Sequence, residues 1–169
     1  AADGDRILVR AGTYNRFAIE HKSLSVIGVR PGAVLVQYRA SIQRLTSNQS
    51  VILRNLLITS TWSPIPLDLR DNLGAITVED SIFNGWKTNS IYNTHEAAII
   101  LRCRAVTLTR CTFRAGPGAA SGIYHGSHGI RSVDAHLVMY DCQSTGGRQT
   151  EGYGKPGGDG LNLRGGSLF

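Results

Sequence analysis

The sequence predicts an all-β protein, a parallel β-helix (solenoid) of about six coils with three short strands per coil. The main observation is a short phrase of alternating apolar and other residues that recurs four times, beginning at Val51, Ile76, Val106 and Leu137. The starts lie 25, 30 and 31 residues apart. A recurrence at this period is typical of stacked coils, because one coil cannot bury its apolar side chains alone.

A second set of apolar strands supports the same fold. Its copies begin at Ile7, Val34, Leu67, Ile99, Ile123 and Leu161. Their first and third residues are apolar, except for His125, and should point into the core, whereas the second and fourth should point outward. Residues 56–59, Leu-Leu-Ile-Thr, predict a third strand in the same coil. No apolar run approaches the roughly 18 residues of a membrane span, so we expect none.

The charged residues are mostly arginines. The net charge of +6 comes from 15 Arg and 3 Lys against 12 acidic residues. Arginine favours planar, bidentate pairing with carboxylate, phosphate or sulfate groups. Ordinary solvated surface charge is the alternative interpretation. The aromatic and basic pattern of a known nucleic-acid-binding module is not found, so no nucleic-acid partner is expected.

The opening segment resembles a known superfamily. Residues 3–14, Asp-Gly-Asp-Arg-Ile-Leu-Val-Arg-Ala-Gly-Thr-Tyr, followed by residues 22–28, Lys-Ser-Leu-Ser-Val-Ile-Gly, are similar to the start of right-handed parallel β-helix, or pectin-lyase-like, proteins. The resemblance covers residues 1–169 as a single domain and implies a right-handed coil. It also implies secretion or a cell-surface location, although the chain carries no signal peptide. The superfamily includes polysaccharide lyases, hydrolases, esterases, epimerases and phage tailspikes, so the fold alone does not fix the activity.

The two ends differ from the superfamily pattern. Its members usually carry an N-terminal capping helix before this opening, and the chain has none. Residues 165–169, Gly-Gly-Ser-Leu-Phe, stop where another strand should begin. We therefore expect a piece of a longer protein, truncated at its C-terminus, or a chain whose ends are covered by loops or a partner. Uncapped coil ends present unpaired strand edges, so self-association through them is also expected.

The outward fourth position of the second strand set predicts a binding face. It reads Arg10, Gln37, Arg70, Arg102, Gly126 and Arg164. Coils stack about 4.8 Å apart, so six of them extend this face over roughly 24 Å, enough for several sugar units. We expect an acidic, uronate-containing polysaccharide to bind there. The predicted substrate-binding residues are Arg70, Asp68, Arg164, Asn162, Trp62 and Trp86, the two tryptophans stacking on sugar faces. Outward arginines that only keep an open sheet face soluble are the alternative.

Residues 122–136 contain three of the five histidines. His125 aligns with an inward position and is expected in the core, whereas His128 should lie in a turn and is the better candidate base. The histidine spacing matches no zinc or iron site, and calcium would depend on Asp68 and Asp71 with little else. We therefore predict no metal ion and no other cofactor, calcium being the weakly supported alternative.

Elimination among superfamily mechanisms leaves a metal-independent lyase or epimerase. In that chemistry an arginine neutralises the uronate carboxylate and thereby acidifies the proton on C5, which a base then removes. The candidate catalytic residues are Arg102, Tyr124, His128 and Lys87. A non-catalytic glycan-binding or adhesive module, and a purely structural β-helix, remain as alternatives.

Two further patterns concern the turns. Asn55, Asp80, Arg110 and Asp141 each end a copy of the fourfold phrase, so a regular ladder of stacked amides is not expected. Cys111 and Cys142 follow two of these residues directly and should be neighbours in adjacent coils. Stacked free thiols are favoured there over a disulfide, and Cys103 has no obvious mate.

Overall fold

The structure is a computed structural model that describes residues 1–60, 65–85, 96–117, 127–147 and 157–169. Fifteen β-strands and no helix lie in these ranges. The strands are β1 (Asp5–Val9), β2 (Gly12–Tyr14), β3 (Phe17–Glu20), β4 (Leu24–Gly28), β5 (Val34–Gln37), β6 (Ala40–Gln43), β7 (Ser50–Arg54), β8 (Leu56–Thr59), β9 (Leu67–Glu79), β10 (Ile82–Asn84), β11 (Ala98–Thr109), β12 (Thr112–Arg114), β13 (Ile130–Tyr140), β14 (Gln143–Thr145) and β15 (Leu161–Leu168).

Every strand pair is parallel, which confirms the parallel β-helix. A nine-stranded sheet and a six-stranded sheet are formed. The first column contains β3, β6 and the beginnings of β9, β11, β13 and β15, and the second contains β1, β4, β7 and the later parts of the same long strands. The third column is the six-stranded sheet, β2, β5, β8, β10, β12 and β14.

The coils differ from the prediction in the length of their strands and in their number. β9, β11, β13 and β15 each run through the first and second columns as one continuous strand of 13, 12, 11 and 8 residues, respectively. The predicted three short strands per coil are therefore found only near the start of the chain. About four turns have the regular stacked form, slightly fewer than the six expected.

The fourfold phrase is the core of the second column. Val51, Ile76, Val106 and Leu137 lie opposite one another in register on β7, β9, β11 and β13. Each is at most 1% exposed. In the third column, the rings of Phe83 and Phe113 stack with their centroids 4.9 Å apart. Burying such a side chain contributes about 1.5–3 kcal/mol, so the repeat identifies much of what stabilises the stack.

Two rows of residues with positive φ bend the chain between columns. The first corner lies between the first and second columns and contains Arg44, Asp71, Arg102, Asp134 and Gly165, with φ from 50° to 65°. The second corner lies between the second and third columns and contains Asn55, Asp80, Arg110 and Asp141, with φ from 50° to 58°. Asn and Asp tolerate this conformation better than most residues do, which explains why they recur there. The second corner is the row in which no regular amide ladder was expected.

The strand register corrects the predicted alignment of the second strand set. Leu101, not Arg102, lies opposite Arg70, and Arg102 falls at the first corner. The segments that begin at Ile7 and Val34 belong to the second and third columns, respectively. Apolar residues at alternating positions satisfy any of the three columns, so the pattern could not distinguish them. The run Ile99-Ile100-Leu101 is also apolar throughout, which leaves its register undetermined by sequence.

Two smaller predictions concern the cysteine pair and the strand that contains His125. Cys111 and Cys142 are neighbours in adjacent coils, where the Cys111 N–H donates to Cys142 Sγ at 3.4 Å, and both are free thiols. His125 and Gly126 lie outside the described residues, and Ile130–Val133 forms the first-column strand of that coil. Within the described ranges, no helix is long and apolar enough to cross a membrane.

Candidate functional site

The outward surface of the first column, here called the first-column face, contains most of the predicted binding residues. At the second position of successive strands it presents Ala18, Ser41, Asp68, Ile99, Arg131 and Asn162, and at the fourth it presents Glu20, Gln43, Arg70, Leu101, Val133 and Arg164. Side chains at equivalent positions are about 4.8 Å apart from coil to coil. The face is therefore mainly polar at both ends, and three apolar side chains, Ile99, Leu101 and Val133, lie between these ends.

Asp68 is the most buried polar group on this face, only 1% exposed although it points outward. Arg70 Nε donates to its Oδ1 at 2.5 Å, and Arg39 Nη1 donates to its Oδ2 at 3.2 Å. A buried carboxylate is stable only when paired, and here two guanidinium groups pair with it. The cluster of Arg39, Asp68 and Arg70, which we call the arginine clamp, thus pairs two arginines with one carboxylate and keeps one net positive charge.

A cavity of about 420 Å³ lies beside the arginine clamp. It is lined by Arg16, Phe17, Ala18, Arg39 and Ser41, which come from β3, β6 and the residues just before these strands. Small-molecule sites commonly have volumes of about 300–1,000 Å³, so this one is large enough for a sugar ring. Another cavity, of about 390 Å³, lies among inward side chains of the first coils, such as Val9, Leu24 and Val26, and is mainly apolar.

Three polar residues occupy equivalent places in successive coils, two residues before the first-column strand. They are Glu96, His128 and Asp159, which precede Ala98, Ile130 and Leu161. The Asp159 N–H donates to His128 Nδ1 at 3.1 Å, and Asp159 Oδ2 lies 3.4 Å from the same nitrogen. Asn162 Nδ2 donates to Asp159 Oδ2 at 3.3 Å. The imidazole is therefore held beside a carboxylate at the edge of the first-column face.

Glu96 is 1% exposed, and within the part of the chain that the structure describes its Oε2 has no hydrogen-bond partner. Its neighbour Ala97 is held by the Gly129 carbonyl, which accepts its N–H at 3.1 Å. An unpartnered buried carboxylate oxygen costs free energy. Sequence reasoning missed Glu96 and Asp159, although both recur at the same offset from a strand as His128 does.

The structure brings five of the predicted site residues together and separates one. Asp68, Arg70, Asn162 and Arg164 are on the first-column face, and His128 lies at its edge. Arg102 lies instead at the first corner, where its Nε donates to Asp71 Oδ1 at 2.5 Å. That hydrogen bond lowers the pKa of the Asp71 carboxyl group. Trp62, Trp86, Lys87 and Tyr124 lie outside the described residues. Arg16, Arg39 and Arg131 belong to this region and were not predicted, because the alignment did not identify their strands.

No site for a metal ion emerges from the described ranges, in which no group of three or more His, Cys, Asp or Glu side chains could hold one. Asp68 and Asp71, the two acids considered for calcium, have different environments. Asp68 is enclosed by the arginine clamp, and Asp71 pairs with Arg102 at the first corner. Both carboxylates therefore have arginine partners already.

The chain was compared with known proteins. No protein-family model and no curated protein matches it. Among solved structures it is similar to a mutant of AlyGC, a PL6-family alginate lyase, with 13% sequence identity and a TM-score of 0.28. The match covers 99% of this chain and 36% of that one, so the chain spans about a third of that protein's length. A similarity this low carries no argument about function, and the fold rests on the strand pairing described above.

Proposed function

We propose that the protein is a carbohydrate-active β-helix protein that binds an acidic, uronate-containing polysaccharide along the first-column face. The observation that carries the proposal is the alignment of arginines along one column. Arg39 and Arg70 share the single carboxylate of Asp68. Arg16, Arg131 and Arg164 make no ion pair with any residue that the structure describes. Guanidinium groups spaced along a strip of roughly 24 Å suit a chain of carboxylates.

The proposed chemistry is abstraction of the C5 proton of a uronate, with His128 as the base. In a lyase the electron pair then forms the C4=C5 bond as the C4–O bond breaks, and the leaving oxygen takes a proton from the imidazolium or from water. In an epimerase C5 is instead reprotonated from the opposite face.

A base needs an unprotonated nitrogen facing the substrate. In the described geometry Nδ1 accepts the Asp159 N–H, so the neutral ring carries its proton on Nε2. For Nε2 to act as the base, the proton must move to Nδ1, where Asp159 Oδ2, now 3.4 Å away, would accept it. The Asp159 carboxylate would then stabilise the imidazolium that forms after proton transfer. The arginine clamp lies two coils from the strand that His128 precedes, so it would neutralise the carboxylate of another sugar residue of the bound polymer. The catalytic roles of Arg102, Tyr124 and Lys87, and the stacking roles of Trp62 and Trp86, stay predictions.

The test is a panel of alginate, pectate, chondroitin and heparin, with binding measured by calorimetry and product by the absorbance of unsaturated uronate. Arg70→Ala and Arg164→Ala should each weaken binding about tenfold, the loss of one charge-assisted contact. Arg6→Ala is the matched control, because Arg6 is an exposed strand arginine in the second column. Binding should also fall as salt is raised, since exposed charges are screened.

The outcomes separate the function classes. New unsaturated product that His128→Ala removes, with binding retained, supports the lyase. Binding that yields neither unsaturated product nor epimerised uronate supports a glycan-binding or adhesive module. If no acidic polysaccharide binds at low salt, or if Arg6→Ala weakens binding as much as Arg70→Ala, the proposal is wrong and the structural class remains. Secretion or a cell-surface location would suit the proposal, because such polymers are extracellular.

A further inference from the structure

We propose that the cavity lined by Arg16, Phe17, Ala18, Arg39 and Ser41 is a subsite for one anionic substituent, a carboxylate or a sulfate group, of a sugar residue. This inference rests on the proposed function and assigns one end of the bound polysaccharide to the coils of β3 and β6. It concerns residues that the sequence did not single out.

The charge balance of the cavity favours an anion. Its two ionisable lining residues are both arginines. Asp68, the acid that pairs with the lining residue Arg39, is shared between Arg39 and Arg70 and so neutralises only one of these two arginines. Arg16 has no acidic partner among the residues that the structure describes. A ligand carboxylate or sulfate entering the cavity would therefore meet uncompensated positive charge in a partly enclosed space, where such interactions are strong.

Arg39 is held loosely enough to engage a ligand. Its contact with Asp68 is made through Nη1 at 3.2 Å, whereas Arg70 approaches the same carboxylate to 2.5 Å. Arg39 Nε is buried and has no partner in the described part of the chain. The guanidinium can therefore turn toward an anion without losing a hydrogen bond at Nε, and a planar guanidinium binds carboxylate or sulfate through two parallel bonds.

The rest of the lining fits a sugar residue. Ser41 is the polar neighbour of Arg39 in the cavity, nearly buried, and no hydrogen bond ties its hydroxyl to another described residue. A serine hydroxyl can donate to an anion or to a sugar oxygen. Phe17 and Ala18 supply apolar surface, and the small side chain of Ala18 leaves the space open. Cationic and apolar side chains next to each other suit a sugar ring that carries an anionic group.

The test uses three variants of the full chain. Arg16→Gln and Arg39→Gln remove a charge and keep most of the side-chain size, and Ala18→Trp fills the cavity without changing any charge. Arg164→Gln, on β15 at the other end of the first-column face, is the matched control. The ligands are uronate trisaccharides, the same trisaccharides with reduced carboxyl groups, and sulfated trisaccharides without uronate, and affinity is measured by calorimetry. Thermal unfolding of each variant checks that it is folded.

We expect Arg16→Gln, Arg39→Gln and Ala18→Trp each to lower the trisaccharide affinity at least about tenfold, while Arg164→Gln lowers only the affinity for long polymer. Preference for the uronate or the sulfated trisaccharide identifies the anion. If the Ala18→Trp and Arg16→Gln proteins are folded and bind trisaccharides as well as the unmodified protein does, the subsite is wrong. When long polymer still binds through Arg70 and Arg164, only the subsite has failed. When no polymer binds at all, the proposed function has failed with it.

Discussion

Arginine side chains occupy two contrasting regions of this molecule, the corners and the first-column face. At the corners every arginine has an acidic partner from a neighbouring coil: Arg44 pairs with Glu20, Arg102 with Asp71, and Arg110 with Asp80. On the first-column face, two arginines share one aspartate, and others have no acidic partner among the described residues. Both regions run along the stack of coils, although Ser41, Asp68 and Ile99 in the middle of the first-column face are buried. Of the two regions, only the first-column face has arginines without an acidic partner among the described residues.

The difference shows that an outward arginine is not by itself a sign of binding. Arg102 and Arg110 each pair with the corner aspartate of a neighbouring coil, whereas Arg44 pairs with Glu20 of β3. Opposite charges in successive coils thus pair with each other. A residue in the middle of a strand projects away from the sheet instead, so its partners must come from neighbouring strands or from outside the protein. Arg102 and Arg70 differ in this way although only 32 positions separate them along the chain.

The largest effect is expected at Asn72, which follows the first corner and turns its side chain into the core. It is 0% exposed, its Oδ1 accepts the Leu45 N–H at 3.1 Å, and its Nδ2 donates to the Ile42 carbonyl at 2.9 Å. Asn72→Ala leaves both backbone groups buried and unpaired, which should lower the free energy of unfolding by about 2–4 kcal/mol. Equilibrium denaturation in urea measures it.

The control for Asn72 is its neighbour Leu73, which is 61% exposed. Leu73→Ala should change stability by less than about 0.5 kcal/mol. Polysaccharide binding by Asn72→Ala, measured where the variant is folded, should equal that of the unmodified protein. A folded Asn72→Ala protein with weakened binding would contradict the separation between corners that stabilise and a face that binds.

A smaller effect is expected at Asp80, in the second corner. Its carboxylate accepts hydrogen bonds from Arg110 and Arg54, and the bond from Arg110, the larger cause, lowers the pKa of the carboxyl group below its usual 3.8. A lowered pKa in the folded state stabilises the fold above the unfolded pKa, and this contribution is lost as pH falls through the folded pKa. Asp80→Asn should therefore destabilise the protein at neutral pH and make little difference once the pH is below the folded pKa of Asp80, as thermal unfolding from neutral to acid pH would show.

Asp141→Asn is the matched control for Asp80→Asn. Asp141 has nearly the same backbone conformation, with φ of 52° against 50°, and makes no ion pair with the described residues. The Asp141→Asn variant should show the same pH dependence of thermal unfolding as the unmodified protein. Equal acid-dependent losses in both variants would mean that the corner conformation, and not the ion pairs, causes the effect.

The fold could be predicted from the sequence because the residues that repeat are buried in the core. Val51, Ile76, Val106 and Leu137 recur at the coil period, and only stacked coils satisfy that pattern. The register could not be predicted, because Ile99 and Ile100 are both apolar and either could face inward. Position on the first-column face depends on that register. The sequence therefore placed Arg70 and Arg164 correctly in one column, three coils apart, and assigned Arg102 to it wrongly. Arg39 and Asp159 precede their strands, and nothing in the alternating pattern distinguishes such residues from ordinary turns.

The smallest effect on the fold is expected at the thiols that follow the second corner. The Cys111 thiol, which donates to Cys142, lowers the pKa of Cys142 to about 7, whereas that hydrogen bond, together with burial, raises the pKa of Cys111. Burial also raises the pKa of Cys103. The thiolate is the reactive form, so at pH 8 iodoacetamide should alkylate Cys142 well before the other two cysteines. Mass spectrometry of timed samples measures the order.

The pH dependence of alkylation identifies the cause. In the unmodified protein the rate at Cys142 should rise with a midpoint near pH 7. In Cys111→Ala the thiol hydrogen bond is lost while the backbone N–H at position 111 still donates, so the midpoint should move upward, part of the way to the usual thiol value of about 8.5. Because the cysteines lie outside the first-column face, alkylation of Cys142 should leave polysaccharide binding unchanged. Equal alkylation rates at Cys142 and Cys103, or an unchanged alkylation midpoint in Cys111→Ala, would show that the stacked thiols do not act as a pair. The second corner would then stabilise the fold through its ion pairs alone.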